Sequence, residues 1–239
     1  MPQPYSSPIM RQALGDALRP GGLHSTLQLL ELAPLPANSL VLDAGCGPGK
    51  TAALLQSQMG SRVIALDRSS TLLAQAGQTA AAIAAVQGDL AALPIASESL
   101  DAVFCECVLA LLDKPEMALA EFHRTLKPGG RMYYSDMTAQ RGSTSMESPR
   151  KTSCLDGPDD LDSLRQRLLR HGFSVLAEKD QTRLLRETAG RLIFEFGSLE
   201  LFWQAVLGQS GCRNGCSTNR PGFRPGYVAF LCRKETSYV

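Results

Sequence analysis

The sequence carries almost no excess of either charge: Lys and Arg total 24 against 23 Asp and Glu, a formal net charge of +1. That balance leaves no field to draw the chain onto a polyanion, so neither a nucleic-acid partner nor a membrane surface is expected. A small-molecule substrate suits it better. No apolar run approaches the roughly 20 residues needed to cross a bilayer, and Met1-Pro2-Gln3-Pro4-Tyr5 lacks the basic and then apolar pattern of a secretory leader. A cytoplasmic location is the expectation. There is no internal repeat, and no low-complexity tract apart from the alanine-rich stretch from Ala74 to Ala92.

Histidine is scarce, with only His24, His123 and His171. His123 sits in a surface-type helical pattern and His171 precedes a helix-stopping glycine, so His24 is the best available base and no catalytic residue is assigned. The seven cysteines are an odd number, and Cys46, Cys105 and Cys107 fall in sheet-like segments. A disulfide scaffold is therefore not expected, and most of the thiols read as reduced core fillers.

What the chain does contain is the alternation of a parallel sheet covered by helices. At 239 residues and 44% hydrophobic content it can bury one sizeable core. Short apolar runs at Leu40–Leu42, Arg62–Leu66, Ile83–Val86, Ala102–Cys105 and Arg131–Tyr134 predict five strands, with helices around Lys50–Gln58, Ser70–Ala80 and Lys114–Leu126. Lys127-Pro128-Gly129-Gly130 stops the last of these. Residues before Asn38 predict helices outside the sheet, including His24 to Leu32 after the Pro20-Gly21-Gly22 break, in the position of a lid. Residues 138–160 predict a long loop. A helix from Leu161 to Arg170, a strand from Phe173 to Ala177, one long helix from Arg183 to Leu207 and a strand from Tyr227 to Cys232 complete the reading. The expected organisation is a single domain: a helical segment 1–38, a cofactor-binding core 39–136, and a substrate side 137–239.

The loop after the first strand, Asp43-Ala44-Gly45-Cys46-Gly47-Pro48-Gly49, permits close approach of backbone to a ligand. A dinucleotide site would set a pyrophosphate on the following helix, and Asp43 beside the loop would repel it. The same carboxylate suits the ammonium of a methionine moiety, which favours S-adenosylmethionine (SAM) over NAD. Asp67, with Arg68 beside it, closes the second strand where a carboxylate can take ribose hydroxyls. Gly88-Asp89-Leu90 ends the third, where an acceptor and an apolar neighbour suit an adenine ring.

With these residues in place, the chain resembles the class I SAM-dependent methyltransferases, of the methyltransferase type 11 kind, from about Leu40 to Asp136. The resemblance implies an α/β, Rossmann-like doubly wound sheet of seven strands, mostly parallel with one reversed strand, and N-terminal helices. It implies SAM as cofactor, with S-adenosylhomocysteine as product. Asp43, Gly45, Cys46 and Gly47 would line the methionine end, Asp67 and Arg68 the ribose, and Asp89 and Leu90 the adenine, with Glu106 a further contact.

Cys105-Glu106-Cys107-Val108-Leu109, Leu126-Lys127-Pro128-Gly129-Gly130 and Ser153-Cys154-Leu155-Asp156-Gly157 are similar to stretches of the arsenite methyltransferase branch, which holds a trivalent metalloid on thiolates. That makes Cys154, Cys212 and Cys216 the substrate candidates, although no cysteine stands near Thr51-Ala52 as it does in that branch. The same trio also permits a redox pair, but is one ligand short of a usual zinc site, so no metal is assigned. The face of Phe194, Phe196, Leu199, Phe202 and Trp203 reads as core or a dimer surface, leaving monomer or homodimer open. The competing readings are a nicotinamide oxidoreductase and a non-catalytic SAM- or metal-binding protein.

Overall fold

The structure is a computed structural model that describes residues 4–15, 17–79, 83–140, 153–156, 158–212 and 222–236. Strands β1 (Leu40–Ala44), β2 (Arg62–Asp67), β3 (Ala84–Gln87), β4 (Leu100–Glu106), β5 (Leu126–Ala139), β6 (Phe173–Asp180) and β7 (Pro225–Lys234) form one seven-stranded sheet in the order β3-β2-β1-β4-β5-β7-β6. The strands from β3 to β5 pair in parallel, and β7 runs antiparallel to both β5 and β6. This is the expected mostly parallel sheet with one reversed strand.

Alternation along the strands divides the core between the two faces. Leu42, Val103 and Met132 join Phe122 and Phe173 in one buried cluster. Their neighbours Val41, Ala102, Phe104 and Tyr133 pack on the opposite face with Leu29 and Leu55. Phe104 and Tyr133 stack with ring centroids 4.3 Å apart. The Tyr133 hydroxyl donates to the Ala33 carbonyl, so the sheet holds the end of an N-terminal helix directly.

The helices are α1 (Pro8–Leu14), α2 (Leu23–Leu32), α3 (Lys50–Met59), α4 (Ser70–Thr79), α5 (Pro115–Thr125), α6 (Leu161–Arg170), α7 (Thr182–Phe196) and α8 (Leu199–Cys212). Local chemistry sets several ends. Pro115 opens α5 at its first turn, and Asp160 caps α6 by accepting from the Ser163 N–H at 2.9 Å. Gly60 ends α3 in the left-handed conformation.

Three expectations need correction. The helix predicted over Arg183 to Leu207 is two helices, because Gly197 at φ +85° stops α7 and Ser198 caps α8 through the Leu201 N–H at 3.1 Å. The strand predicted at Arg131 begins its pairing earlier: Leu100 faces Leu126 and Ala102 faces Arg131, so Lys127-Pro128-Gly129-Gly130 forms a bulge inside β5. At its other end β5 runs on to Ala139, which takes the first part of the predicted loop into the sheet.

A third apolar cluster joins Met10 and Ala13 of α1 to Leu192, Phe202 and Trp203 of the last helices. The predicted aromatic face is thus divided. Phe202 and Trp203 bury against α1, while Phe194 is 93% exposed. No helix among the described residues is long and apolar enough to cross a membrane.

Candidate active site

The carboxyl ends of β1, β2 and β4 converge on the glycine loop. Gly45, Gly47 and Gly49 all have positive φ, which only glycine adopts without strain. A Cβ on Gly45 would stand 2.5 Å from Val108 Cγ2, and one on Gly49 2.7 Å from the Ala76 Cβ. The loop is therefore gripped by the segment after β4 and by α4, while Gly47 meets only Leu18 at 3.7 Å. Two of these glycines serve packing as well as ligand approach, which a sequence alone does not distinguish.

Buried carboxylates hold the loop in shape. Asp43, 5% exposed, accepts from the Ala52 N–H in the first turn of α3 at 3.0 Å. Burial, with Glu106 close by, pushes its carboxyl up to about 7. Asp67 accepts from the Gly47 N–H at 2.9 Å and from the Ser69 N–H at 2.8 Å. Cys46 is buried, and burial pushes its thiol far up. Asp89 is exposed and accepts from the Ala91 N–H, Leu90 packs into the core, and Arg68 is exposed.

Glu106, at the end of β4, is almost wholly enclosed. Its carboxylate accepts from Thr26 of α2 at 2.9 Å and from Thr51 of α3 at 3.0 Å, and pairs with Arg19 Nη2 at 2.8 Å. Arg19 also donates to Thr26 and Thr51. Its guanidinium Nε is buried and has no acceptor. The chain between α1 and α2 is thereby tied to the first turn of α3 and the end of β4. Arg19, Thr26 and Thr51 carried no sequence motif; the adjacent Pro20-Gly21-Gly22 break was the only signal.

Beside this network lies a second cluster built from β4, β5, β7 and the turn Ser153–Asp156. Cys107, Met137 and Tyr227 are buried together, with Cys154, Leu155 and Leu185 packed against them. Burial, then the neighbouring Cys154 and Asp136, push the Cys107 thiol well up. Burial takes the Cys154 thiol up to about 12. The Tyr5 hydroxyl accepts from the Cys154 N–H at 3.3 Å and closes the cluster from the N-terminal side. Cys107 itself has φ +57° and donates its N–H to the Ser135 carbonyl at 2.7 Å. It lies just past the end of β4, and a 3-10 turn starts at Leu109.

Of the expected substrate thiols, Cys154 is thus placed and partnered by Cys107. Cys212 ends α8 but its side chain falls outside the described residues, as does Cys216. Cys105 and Cys232 are core residues, as expected. Among the described residues no group of three or more His, Cys, Asp or Glu is placed to hold a metal ion. His24 is exposed and bonded to Gln28 at 2.9 Å, remote in role from the cluster, and His171 caps α6 through Arg167. His123 is not solvent-facing as its helical pattern suggested, but half-buried and edge-on to Phe173 at 5.7 Å.

A mostly parallel sheet with an antiparallel seventh strand, a glycine loop after β1 and acidic side chains at successive strand ends define the Rossmann-like fold of SAM-dependent methyltransferases. Residues 42–134 match the family model for a methyltransferase domain. Among solved structures, a phosphoethanolamine N-methyltransferase 2 of Haemonchus contortus with S-adenosylhomocysteine has a TM-score of 0.75 at 19% identity, covering 95% of this chain and 56% of that one. A malonyl-[acyl-carrier protein] O-methyltransferase of Enterobacter lignolyticus is 34% identical over 57% of this chain and 56% of its own. An arsenite methyltransferase of Halobacterium salinarum is 28% identical over 63% of this chain and 41% of its own. The chain spans about half the length of the malonyl-[acyl-carrier protein] relatives it matches.

Two features of the site suit such a cofactor. Asp67 keeps lone pairs free on both carboxylate oxygens for ribose hydroxyls. Arg19 Nε is a buried donor still lacking an acceptor.

Proposed function

We propose that the protein transfers the methyl group of SAM to a soft, thiol-bound acceptor, of which a trivalent metalloid such as arsenite is the type. The observation that carries this reading is the pairing of Cys107 with Cys154 beside the Met137 thioether. Soft sulfur ligands select soft, thiophilic ions. Two neutral thiols would bind such a metalloid by displacing two of its hydroxyls, each thiol proton leaving with a hydroxyl as water, while without it their raised positions keep them protonated.

When bound, SAM supplies a methyl group already activated by its sulfonium. This chain's residues then have a modest task, which is alignment and exclusion of water. Asp43 and Glu106 face the methionine end, Asp67 the ribose, and Asp89 with Leu90 the adenine. Cys107 and Cys154 hold the acceptor so that its lone pair points at the methyl carbon. On transfer the cofactor would leave as its neutral thioether, and the residues of this site would only hold and shield the two reactants. A lone-pair acceptor has no proton to lose, so the lack of a histidine in this cluster is no obstacle.

A second reading, a carboxyl acceptor on an acyl carrier protein, draws support from the malonyl-[acyl-carrier protein] O-methyltransferases among the relatives. The buried Asp136 beside the thiols weighs against it, because it would repel a carboxylate. The location we propose is the cytoplasm, where these thiols stay reduced.

The test is methyl transfer from labelled SAM, offered either trivalent arsenic with a dithiol reductant or malonyl-[acyl-carrier protein]. Methylated arsenic, lost on Cys154→Ser, is expected. A malonyl methyl ester instead would remove the thiol reading and leave the methyltransferase standing.

A further inference from the structure

Building on the thiol reading, we propose that Tyr227 is a positioning residue for the acceptor: its hydroxyl, aimed by Ser135, holds the Cys107 sulfur beside Cys154, as the Tyr5 hydroxyl holds the Cys154 sulfur. No sequence motif marks either tyrosine. The hydroxyl protons of the cluster have few acceptors, and they end on the two sulfurs.

The Tyr227 ring is wholly buried and its backbone is held on both sides. Its N–H donates to the Thr182 hydroxyl at 3.2 Å, and its carbonyl accepts from the Gln181 N–H at 2.8 Å. Its hydroxyl therefore has a fixed place, with the Ser135 hydroxyl at 3.0 Å, the Ser25 hydroxyl at 3.5 Å and a hydrogen bond to the Cys107 side chain. Ser25 donates its own proton to Gln181 Oε1 at 2.6 Å, so it offers Tyr227 only a distant acceptor. The Ser135 hydroxyl, also wholly buried, has Tyr227 as its partner among the described residues. Were Tyr227 to donate to Ser135, the Ser135 proton would be left buried without an acceptor, which costs more than the bond contributes. Ser135 therefore donates to Tyr227, and Tyr227 donates to the Cys107 sulfur.

Ser135 holds Cys107 a second time, because its carbonyl accepts the Cys107 N–H at 2.7 Å. The φ of +57° at Cys107 is a conformation that a residue with a Cβ seldom adopts and that persists only where its surroundings fix it. The direction of the Cβ is thereby set, and the O–H···S bond sets the sulfur. Cys154 is held at the same two points from the opposite end of the chain. Tyr5, in the turn Pro4–Ser6, accepts the Cys154 N–H at 3.3 Å and bonds the Cys154 side chain. With that N–H on its oxygen, its own proton is directed to the sulfur.

Two sulfurs fixed in advance suit an acceptor that takes both at once, since the rotamers need no further ordering when it arrives. A reagent that takes a single sulfur gains nothing from the pairing. That difference separates positioning from packing.

The test uses phenylarsine oxide, which joins two thiols with loss of one water, and methyl methanethiosulfonate, which caps one thiol. Wild type should take up phenylarsine oxide and Cys154→Ser should not. In Tyr227→Phe its affinity should fall by on the order of tenfold, the size of one buried hydrogen bond. The capping rate at Cys107, mapped by mass spectrometry, should not rise. Ser135→Ala, which keeps the tyrosine and removes its aim, should shift affinity less and in the same direction, and Tyr5→Phe should weaken it a few-fold. S-adenosylhomocysteine affinity should be unmoved in all three variants.

Unchanged phenylarsine oxide affinity in Tyr227→Phe overturns the assignment. So does a loss of affinity accompanied by faster capping of Cys107, which would make Tyr227 a packing residue only. A wild type that is capped at both cysteines and takes up no phenylarsine oxide removes the thiol reading, and this inference with it, and leaves the methyltransferase standing.

Discussion

The half of the molecule around the glycine loop and the half around the Cys107 and Cys154 cluster are built on different principles. Around the glycine loop, short local segments do the work: β1 feeds the loop, the loop feeds α3, and Asp43 and Asp67 bond to backbone within or beside the same βαβ units. The acceptor side has no such unit. Cys107 follows β4, Met137 lies on β5, Tyr227 on β7, Cys154 in a turn before α6, and Tyr5 ahead of α1. Local construction gives the first half its shape, with Val108 and Ala76 gripping the loop from outside. The second half exists only when distant parts of the chain are already in place, which leaves it free to change its residues one at a time.

The sharpest way to break this contrast is to damage the loop itself. Gly49→Val places a branched side chain at a positive φ against the Ala76 Cβ 2.7 Å away. Expected are a loss of about 3 kcal/mol or more in denaturant unfolding and no measurable S-adenosylhomocysteine binding. A variant that keeps normal affinity would show that the loop is less tightly gripped than its packing implies.

On the acceptor side the expected damage is confined to turnover. Cys154→Ser should lower methyl transfer to a thiophilic acceptor by about 100-fold, while S-adenosylhomocysteine affinity measured by calorimetry stays within about twofold of wild type. Parallel losses of binding and turnover would show that the two halves are one coupled unit.

A pH series sharpens the cofactor side. Burial pushes the Asp43 carboxyl up to about 7 in the folded chain, against its ordinary 3.8 when unfolded. The folded state therefore binds more protons in that window, so stability declines as pH rises from about 4 to 7. His123 opposes this, because burial lowers its pKa and stability from that source rises with pH through the histidine range. The difference between wild type and Asp43→Asn isolates the carboxyl: the variant's advantage in melting temperature should grow from pH 5 to pH 8. A constant difference would place the Asp43 proton elsewhere.

The smallest effect is expected at Tyr5→Phe. It removes a hydroxyl that accepts from the Cys154 N–H at 3.3 Å and also bonds the Cys154 side chain. Stability should fall by about 1 kcal/mol or less, with turnover reduced a few-fold and cofactor affinity unmoved.

The same contrast explains what could be read from the sequence. The strands at Leu40, Arg62, Ala102 and Arg131 were legible because each is a short apolar run between turn residues, and Asp43, Asp67 and Asp89 because each lies at or just past the carboxyl end of its strand. The break at Gly197 was not, since a lone glycine inside a helical pattern is tolerated as often as it terminates. Arg19 was hidden because its partners Thr26, Thr51 and Glu106 come from three different elements. Cys154 was legible as an unusual thiol, but its partner was sought in the tail at Cys212 and Cys216. Cys107 reads as part of a strand, and only the positive φ there turns it toward the turn that bears Cys154.

The placement of β7 has a bearing on how the enzyme is made. The last strand in sequence is inserted between β5 and β6 and pairs antiparallel with both, and Tyr227 on it closes the thiol cluster. On the ribosome, the glycine loop and its five parallel strands emerge well before that strand does. A nascent chain thus presents an unpaired edge of β5, with the cluster around Tyr227 not yet closed, until β7 has been made.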